Sequence, residues 1–218
     1  MQQIKESLIK LDIEKDIKEK RGSINPLKMR RLSQYFYQKF SFVIAVLLTA
    51  ISFSYLFLVM KGEAAGFEMV DSNIKSLGTS FGFDQADIMV FLAARTDEMI
   101  NAYIDFNQVW DPLFGITYGL MYVAWVSVLF KPFSQKSGFL NLFPLAQVVF
   151  DWLENYELAS LANQYLAEGM ISATNAQLAS VFSMIKWACS GLTSMLILIG
   201  IVLVCARAIM NKRTTTPS

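Results

Sequence analysis

Acidic and amide side chains recur in one apolar stretch of the sequence at a spacing that brings them together. Asp151, Glu154 and Asn155 are separated by three and four positions, so they share one face of an α-helix. Lys186 lies in a later apolar stretch. A charge in apolar surroundings is costly unless it is paired, so we expect Asp151 or Glu154 to be the partner of Lys186.

An earlier apolar stretch adds Asp111, Tyr118 and Tyr122, which share a face by their spacing of seven and eleven residues. Counted at about 1.5 Å per residue, Tyr118, Asp151 and Lys186 lie at about the same depth in a hydrocarbon layer about 30 Å thick. Two interpretations are open: a ligand pocket or proton path, and polar side chains that only fix helix packing. The predicted cluster comprises Asp111, Tyr118, Asp151, Glu154, Asn155 and Lys186.

Four apolar stretches have about the 20 residues that an α-helix needs to cross a bilayer. The predicted membrane spans are residues 40–60, 110–130, 139–158 and 178–210. Hydropathy supports the first, second and fourth spans. It supports the third less, because that stretch contains Asp151, Glu154 and Glu157. The predicted fold class is therefore all-α, a four-helix transmembrane bundle within a membrane domain of residues 40–211.

Charge asymmetry supports the third span and gives all four a direction. Residues 1–40 hold ten Lys and Arg against five Asp and Glu, and residues 61–109 hold three against eight. The link after the second span has two lysines and no acidic residue, and the stretch after the third has acidic residues and no basic one. The tail at 212–218 is basic. Under the positive-inside rule this alternation requires four spans and places the N and C termini in the cytoplasm.

Two segments outside the spans show the spacing of amphipathic helices. Residues 4–20 belong to a cytoplasmic N-terminal segment of residues 1–39. In the external loop of residues 61–109, Asp84 can cap a helix that begins at Gln85, with Asp87 at the third position. Its apolar spacing continues to Tyr103, which predicts one helix that runs into the second span.

The N-terminal segment also carries a basic surface next to the first span. It comprises Lys28, Arg30, Arg31 and Lys39. We interpret it as an anchor on anionic lipid headgroups, and the alternative is a docking surface for a partner protein.

Composition excludes several chemistries. The chain has 54% hydrophobic and 17% charged residues, whereas soluble domains carry about 25% charged residues. It contains no histidine, which is the commonest general base and metal ligand. We therefore expect no catalytic residue, no metal and no cofactor. A net charge of +1 argues against nucleic acid as a partner.

Three sequence segments together resemble a known group of proteins. The segments are DPLFGITYGL, FPLAQVVFDWLENYELASL and QLASVFSMIKWACSGL. They resemble small four-helix membrane proteins found mostly in bacteria, which share an Asp-Pro pair, a D-x-x-E-N pattern in the third span and S-x-x-K-W in the fourth. The matching residues are Asp111, Pro112, Asp151, Glu154, Asn155, Ser183, Lys186 and Trp187. The resemblance covers about residues 80–205 and implies only that the matching residues are the shared core, not a function. We expect the protein in a bacterial inner (plasma) membrane.

Three classes of function follow from these observations. The leading hypothesis is a non-enzymatic accessory or partner subunit of a membrane assembly, because no catalytic constellation is visible. The first alternative is an oligomeric channel or transport element that uses Asp151, Glu154 and Lys186 for protons or cations. The second is a lipid- or small-ligand-binding module or an intramembrane enzyme. The expected partners are the lipid bilayer and, beyond it, other membrane subunits or further copies of the chain.

Overall fold

A computed structural model describes residues 26–69, 74, 76–134 and 138–214. These residues form helices joined by short turns, without a β-strand among them, in agreement with the predicted all-α class. Their six helices are α1 (Pro26–Lys39), α2 (Phe42–Ala64), α3 (Gln85–Ala93), α4 (Asp97–Phe133), α5 (Pro144–Glu168) and α6 (Ala173–Thr214). The helix predicted at residues 4–20 lies outside the described residues.

Three of the described helices are long and apolar enough to cross a membrane. They are α2, α4 and the part of α6 that ends at Asn211. Most of the apolar surface of α2 and α6 is exposed, which is typical of helices surrounded by lipid. The helix α5 was predicted as the third span; it has 25 residues but is not one of these three.

Several helix ends lie where local sequence predicts them. Asp84 caps α3 by accepting a hydrogen bond from the backbone N–H of Asp87, whose own side chain completes a capping box. Gly169, with φ of 69°, ends α5 in the left-handed conformation that suits glycine. Ser172 accepts a hydrogen bond from the N–H of Asn175 at the start of α6. The predicted start of α3 is confirmed, and the helix ends at Gly169 and Ser172 follow the same local rules.

The prediction of one continuous helix from Gln85 into the second span is wrong. Helix α3 ends at Ala93. Thr96 then caps a new helix by accepting a hydrogen bond from the N–H of Met99. Asp97 and Glu98 in the first turn favour this start, because the helix dipole attracts negative charge there. The apolar spacing continues through the break, so periodicity alone could not reveal it.

Close helix packing depends on glycines of α4 and α6. A Cβ atom at Gly119 would lie 2.5 Å from Cγ2 of Val148 on α5, and one at Gly200 would lie 2.8 Å from Cβ of Leu129. Gly119 and Gly200 thus allow close helix packing. Gly191 does not contribute to it, because a Cβ atom there would meet no described atom within 4 Å.

The four long helices do not pack uniformly. Helix α5 packs along α6, α4 packs on both, and α2 packs mainly on α4. The largest apolar core lies at one end of this arrangement, where α3 and the start of α4 cover the end of α5 and the start of α6. Because α2 packs mainly on one neighbour, its side facing α6 is left free for the cavity described below.

At the opposite end, α1 is held to the bundle by buried polar groups. The Ser33 hydroxyl donates to Asn141 Oδ1 at 2.6 Å, and Asn141 Nδ2 donates to Ser33 O at 3.1 Å and to Ser127 Oγ at 2.9 Å. We call Ser33, Ser127 and Asn141 the Asn141 cluster. The four predicted basic residues of this region, Lys28, Arg30, Arg31 and Lys39, are exposed.

Candidate functional site

The structure brings the predicted polar residues of three helices together. Helix α4 contributes Asp111 and Tyr118, α5 contributes Asp151, Glu154 and Asn155, and α6 contributes Lys186. We call these six residues the carboxylate cluster. Lys186 Nζ lies 3.3 Å from Asp151 Oδ1 and 2.5 Å from Glu154 Oε2. The predicted pairing is therefore present, and Lys186 contacts both candidate partners.

Lys186 has a third partner that the sequence could not show. Its ammonium group donates to the backbone carbonyl of Gly78 at 3.0 Å. One and two turns earlier on α6, Ser183 donates to Ser80 O and Ser180 accepts from Phe83 N. This row of side chains fixes the segment of residues 78–83 against α6. No spacing rule reveals such bonds, because the partners are backbone groups about 100 residues away in sequence.

Asp111 is tied to the other acids through an amide. Asn155 Nδ2 donates to Asp111 Oδ2 at 2.8 Å, which fixes the start of the apolar part of α4 against α5. Glu154 and Asn155 are fully buried behind the site, with 0% and 1% of their surface exposed. The predicted cluster is thus divided into buried supporting residues and residues that face open space.

That open space is a cavity of about 650 Å³ between α2, α4 and α6. Its volume lies within the range of about 300–1,000 Å³ that is usual for small-molecule sites. Four residues of the carboxylate cluster line it, namely Asp111, Tyr118, Asp151 and Lys186. The facing wall is apolar and comes from α2, with Phe53, Leu56, Phe57, Met60 and Ala64. The cavity therefore has a polar floor and an apolar wall.

The mouth of the cavity lies between α2 and α6. Phe53 and Phe57 on α2 and Trp187 on α6 line it and are also exposed at the protein surface, by 50%, 63% and 38%. Ser76, Gly78 and Thr79 cover one end. The opening thus faces the same surroundings as the apolar surfaces of α2 and α6.

Some polar atoms at the floor have no hydrogen-bond partner among the described residues. They are Tyr118 Oη, Gln147 Oε1 and Asp151 Oδ2. The Tyr118 hydroxyl lies beside the Asp151 carboxylate and interacts with it electrostatically. Buried polar groups are nearly always paired in folded proteins, so unpaired ones beside a cavity indicate that a ligand or solvent completes them.

Two π-helical turns lie beside the cavity, and helical spacing in the sequence does not predict them. They are Leu56–Met60 in α2 and Phe106–Trp110 in α4. Pro112 explains the turn in α4. It has no N–H to donate to the carbonyl four residues earlier, and its ring pushes that carbonyl away. The Tyr55 hydroxyl donates to Trp110 O at 3.1 Å. Such turns are frequent at functional sites, and an interior proline was the available signal.

Other polar residues do not join the site. Ser54, which lies two positions from the cavity-lining Ser52 on α2, is exposed and does not line the cavity. In the described part of the chain, no group of Asp, Glu or Cys side chains could hold a metal ion. Comparison of the chain with protein-family models, curated proteins and solved structures found no match.

Proposed function

We propose that this chain is a membrane-embedded binding module for an amphiphilic small ligand that enters sideways from the bilayer. The observation that carries the proposal is the cavity with an apolar wall on α2 and a polar floor at Asp151. A ligand with an apolar body and a polar end matches both surfaces, because each part then keeps a suitable environment. Entry between α2 and α6 needs no passage through water.

We further propose that α5 crosses the membrane as well, giving four spans. Its Asp151 and Glu154 point into the protein, and its exposed side carries Val149, Trp152 and Leu153. At about 1.5 Å per residue, 25 residues reach about 37 Å, enough to cross the hydrocarbon layer. A short connection to α6 also makes the two helices antiparallel neighbours.

The direction and location of the spans belong to the same proposal. The charge alternation supports cytoplasmic N and C termini, which puts the exposed basic residues of α1 next to anionic headgroups. The resemblance to small bacterial membrane proteins supports the bacterial inner (plasma) membrane. On this orientation the carboxylate cluster lies in the outer half of the bilayer and the Asn141 cluster at the cytoplasmic side.

The geometry favours binding over conduction by one chain. Val123, Ala124 and Val126, which follow the cavity-lining part of α4, are fully buried. Packed side chains therefore close the path that a pore through one chain would need. The accessory-subunit hypothesis and self-association stay predictions on which the cavity does not bear.

Photolabelling tests the binding proposal directly. The probe is hexadecanol with a diazirine in its chain, added to the full chain in zwitterionic nanodiscs, and labelled peptides are mapped by mass spectrometry. We expect labels at the wall between Ser52 and Ala64 and around Trp187. Filling the cavity with Ser190→Trp should lower this labelling about tenfold, which equals about 1.4 kcal/mol of binding free energy.

Ser194→Trp is the matched control, because Ser194 is on the same helix, exposed, and not part of the cavity lining. Labelling should stay at the wild-type level in this variant. Labels spread evenly over all exposed apolar surfaces, with no response to Ser190→Trp, would overturn the proposal.

A further inference from the structure

We infer that the polar end of the ligand is a protonated amine, held at the floor of the cavity by Asp151 and Gln147. This inference rests on the proposed binding function and adds the chemical class of the ligand. Three observations lead to it: the bonding of Lys186, the unpaired oxygens of the floor, and the balance of charge.

The only cation of the carboxylate cluster has no capacity left for a ligand. An ammonium group has three N–H donors. Lys186 Nζ contacts three oxygens: Asp151 Oδ1, Glu154 Oε2 and Gly78 O. A phosphate or carboxylate headgroup would have to displace one of them, so the floor is poorly suited to anions.

The oxygens that remain at the floor suit a hydrogen-bond donor. Asp151 is 96% buried and lines the cavity, and its Oδ2 has no partner among the described residues. Gln147 is 92% buried, lines the same cavity and leaves Oε1 unpaired. Both are acceptors, so each suits an N–H group of an amine better than it suits an anionic headgroup.

Charge balance points the same way. Three carboxyl groups, Asp111, Asp151 and Glu154, surround one ammonium, so protons or a cation must neutralise the remaining two. Among the other residues that line the cavity, the exposed Lys61 and Glu68 carry opposite charges and so add no net charge. A cationic headgroup at the floor supplies part of the missing charge, whereas a neutral or anionic one supplies none.

The test compares three diazirine probes with the same chain and different heads: an amine, an alcohol and a phosphate. Each is added at equal mole fraction to the full chain in zwitterionic nanodiscs, and labelling within the cavity is quantified. We expect the amine to label about tenfold more strongly than the other two, as a charge-assisted hydrogen bond of about 1.4 kcal/mol would give.

Asp151→Asn should remove the preference for the amine. Glu157→Gln is the control, because Glu157 is on the same helix, half-buried and outside the cavity lining, so the preference should persist. Equal labelling by all three probes would overturn the amine inference and leave the binding function standing. A preference for the phosphate would overturn it too, and absence of cavity labelling by every probe would overturn both proposals.

Discussion

The two buried polar clusters of this chain differ in how completely their groups are paired. In the Asn141 cluster, three uncharged side chains satisfy one another and the Gly138 carbonyl, and the cluster ties α1 to the bundle. The carboxylate cluster gathers three acids around one lysine and leaves Asp151 Oδ2 unpaired beside a cavity. Folding alone explains the first arrangement and does not explain the second.

This difference separates polar residues that hold helices together from polar residues that, on the proposed function, bind a ligand. A closed network of neutral groups fixes one packing of the helices at little electrostatic cost. Excess buried carboxyl groups are unfavourable for stability, so their presence beside a cavity supports the proposed binding function. Within the carboxylate cluster, Lys186 belongs to the first kind and Asp151 to the second.

The largest expected effect is that of Lys186→Met. It leaves Asp151 and Glu154 buried without a counter-charge and frees the Gly78 carbonyl. Breaking a buried pair in this way should lower the free energy of unfolding by about 3–5 kcal/mol, measured by denaturant titration in mixed micelles. Adding Asp151→Asn and Glu154→Gln to the same chain should restore most of the loss. A loss below about 1 kcal/mol would show that Lys186 is not structural.

A smaller loss is expected when the Asn141 cluster is opened. Asn141→Leu keeps a similar volume but leaves the Ser127 hydroxyl without its partner, which should cost about 1–3 kcal/mol in the same titration. Labelling of the cavity by the amine probe should not change. Asn101→Leu, at an exposed position of α4, is the control and should stay within about 0.5 kcal/mol. A change in amine labelling in Asn141→Leu would contradict the claim that the Asn141 cluster has only a structural role.

The packing between the clusters is tested by Gly119→Ala. The new methyl group would lie 2.5 Å from Cγ2 of Val148, whose branched side chain cannot easily turn away. We expect a loss of about 1–2 kcal/mol, relieved when Val148→Ala is added. Gly191→Ala, at a position with open space, should instead stabilise by up to about 1 kcal/mol through helix propensity. Equal effects of the two substitutions would contradict the close approach of α4 and α5.

The smallest effect on stability is expected for Asp151→Asn. Lys186 keeps Glu154 and Gly78 as partners, and the amide has the shape of the lost carboxylate. The free energy of unfolding should therefore change by less than about 1 kcal/mol, although the preference for the amine probe is lost. Glu154→Gln, which removes the shorter contact to Lys186, should cost more. A loss above about 3 kcal/mol for Asp151→Asn would place Asp151 with the structural residues.

Local rules were enough to predict the helix ends and the ion pair. Asp84, Gly169 and Ser172 act through bonds to near neighbours, so their identity decides where a helix begins or ends. The pairing of Lys186 with α5 followed from equal depth in adjacent antiparallel helices. In both cases the deciding quantity, a residue type or a rise per residue, can be read directly from the chain.

The cavity and the segment of residues 76–79 that covers one end of it could not be predicted from local rules. The volume between α2 and α6 depends on how α2 packs on α4, and no single residue reports that. The bond from Lys186 to Gly78 O depends on a backbone group that is present at every position. The break before Thr96 was missed because apolar spacing continued across it, although Thr96 followed by Asp97 and Glu98 is a helix-start pattern.

An experimental structure of the full chain in nanodiscs that contain the long-chain amine tests the central claim most directly. We predict elongated density between α2 and α6, beside Phe57 and Trp187, with the amine nitrogen within hydrogen-bond distance of Asp151 Oδ2. The contradicting result is a structure in which α2 packs against Trp187 and Ser190, the cavity is filled by side chains, and Asp151 Oδ2 has a protein partner.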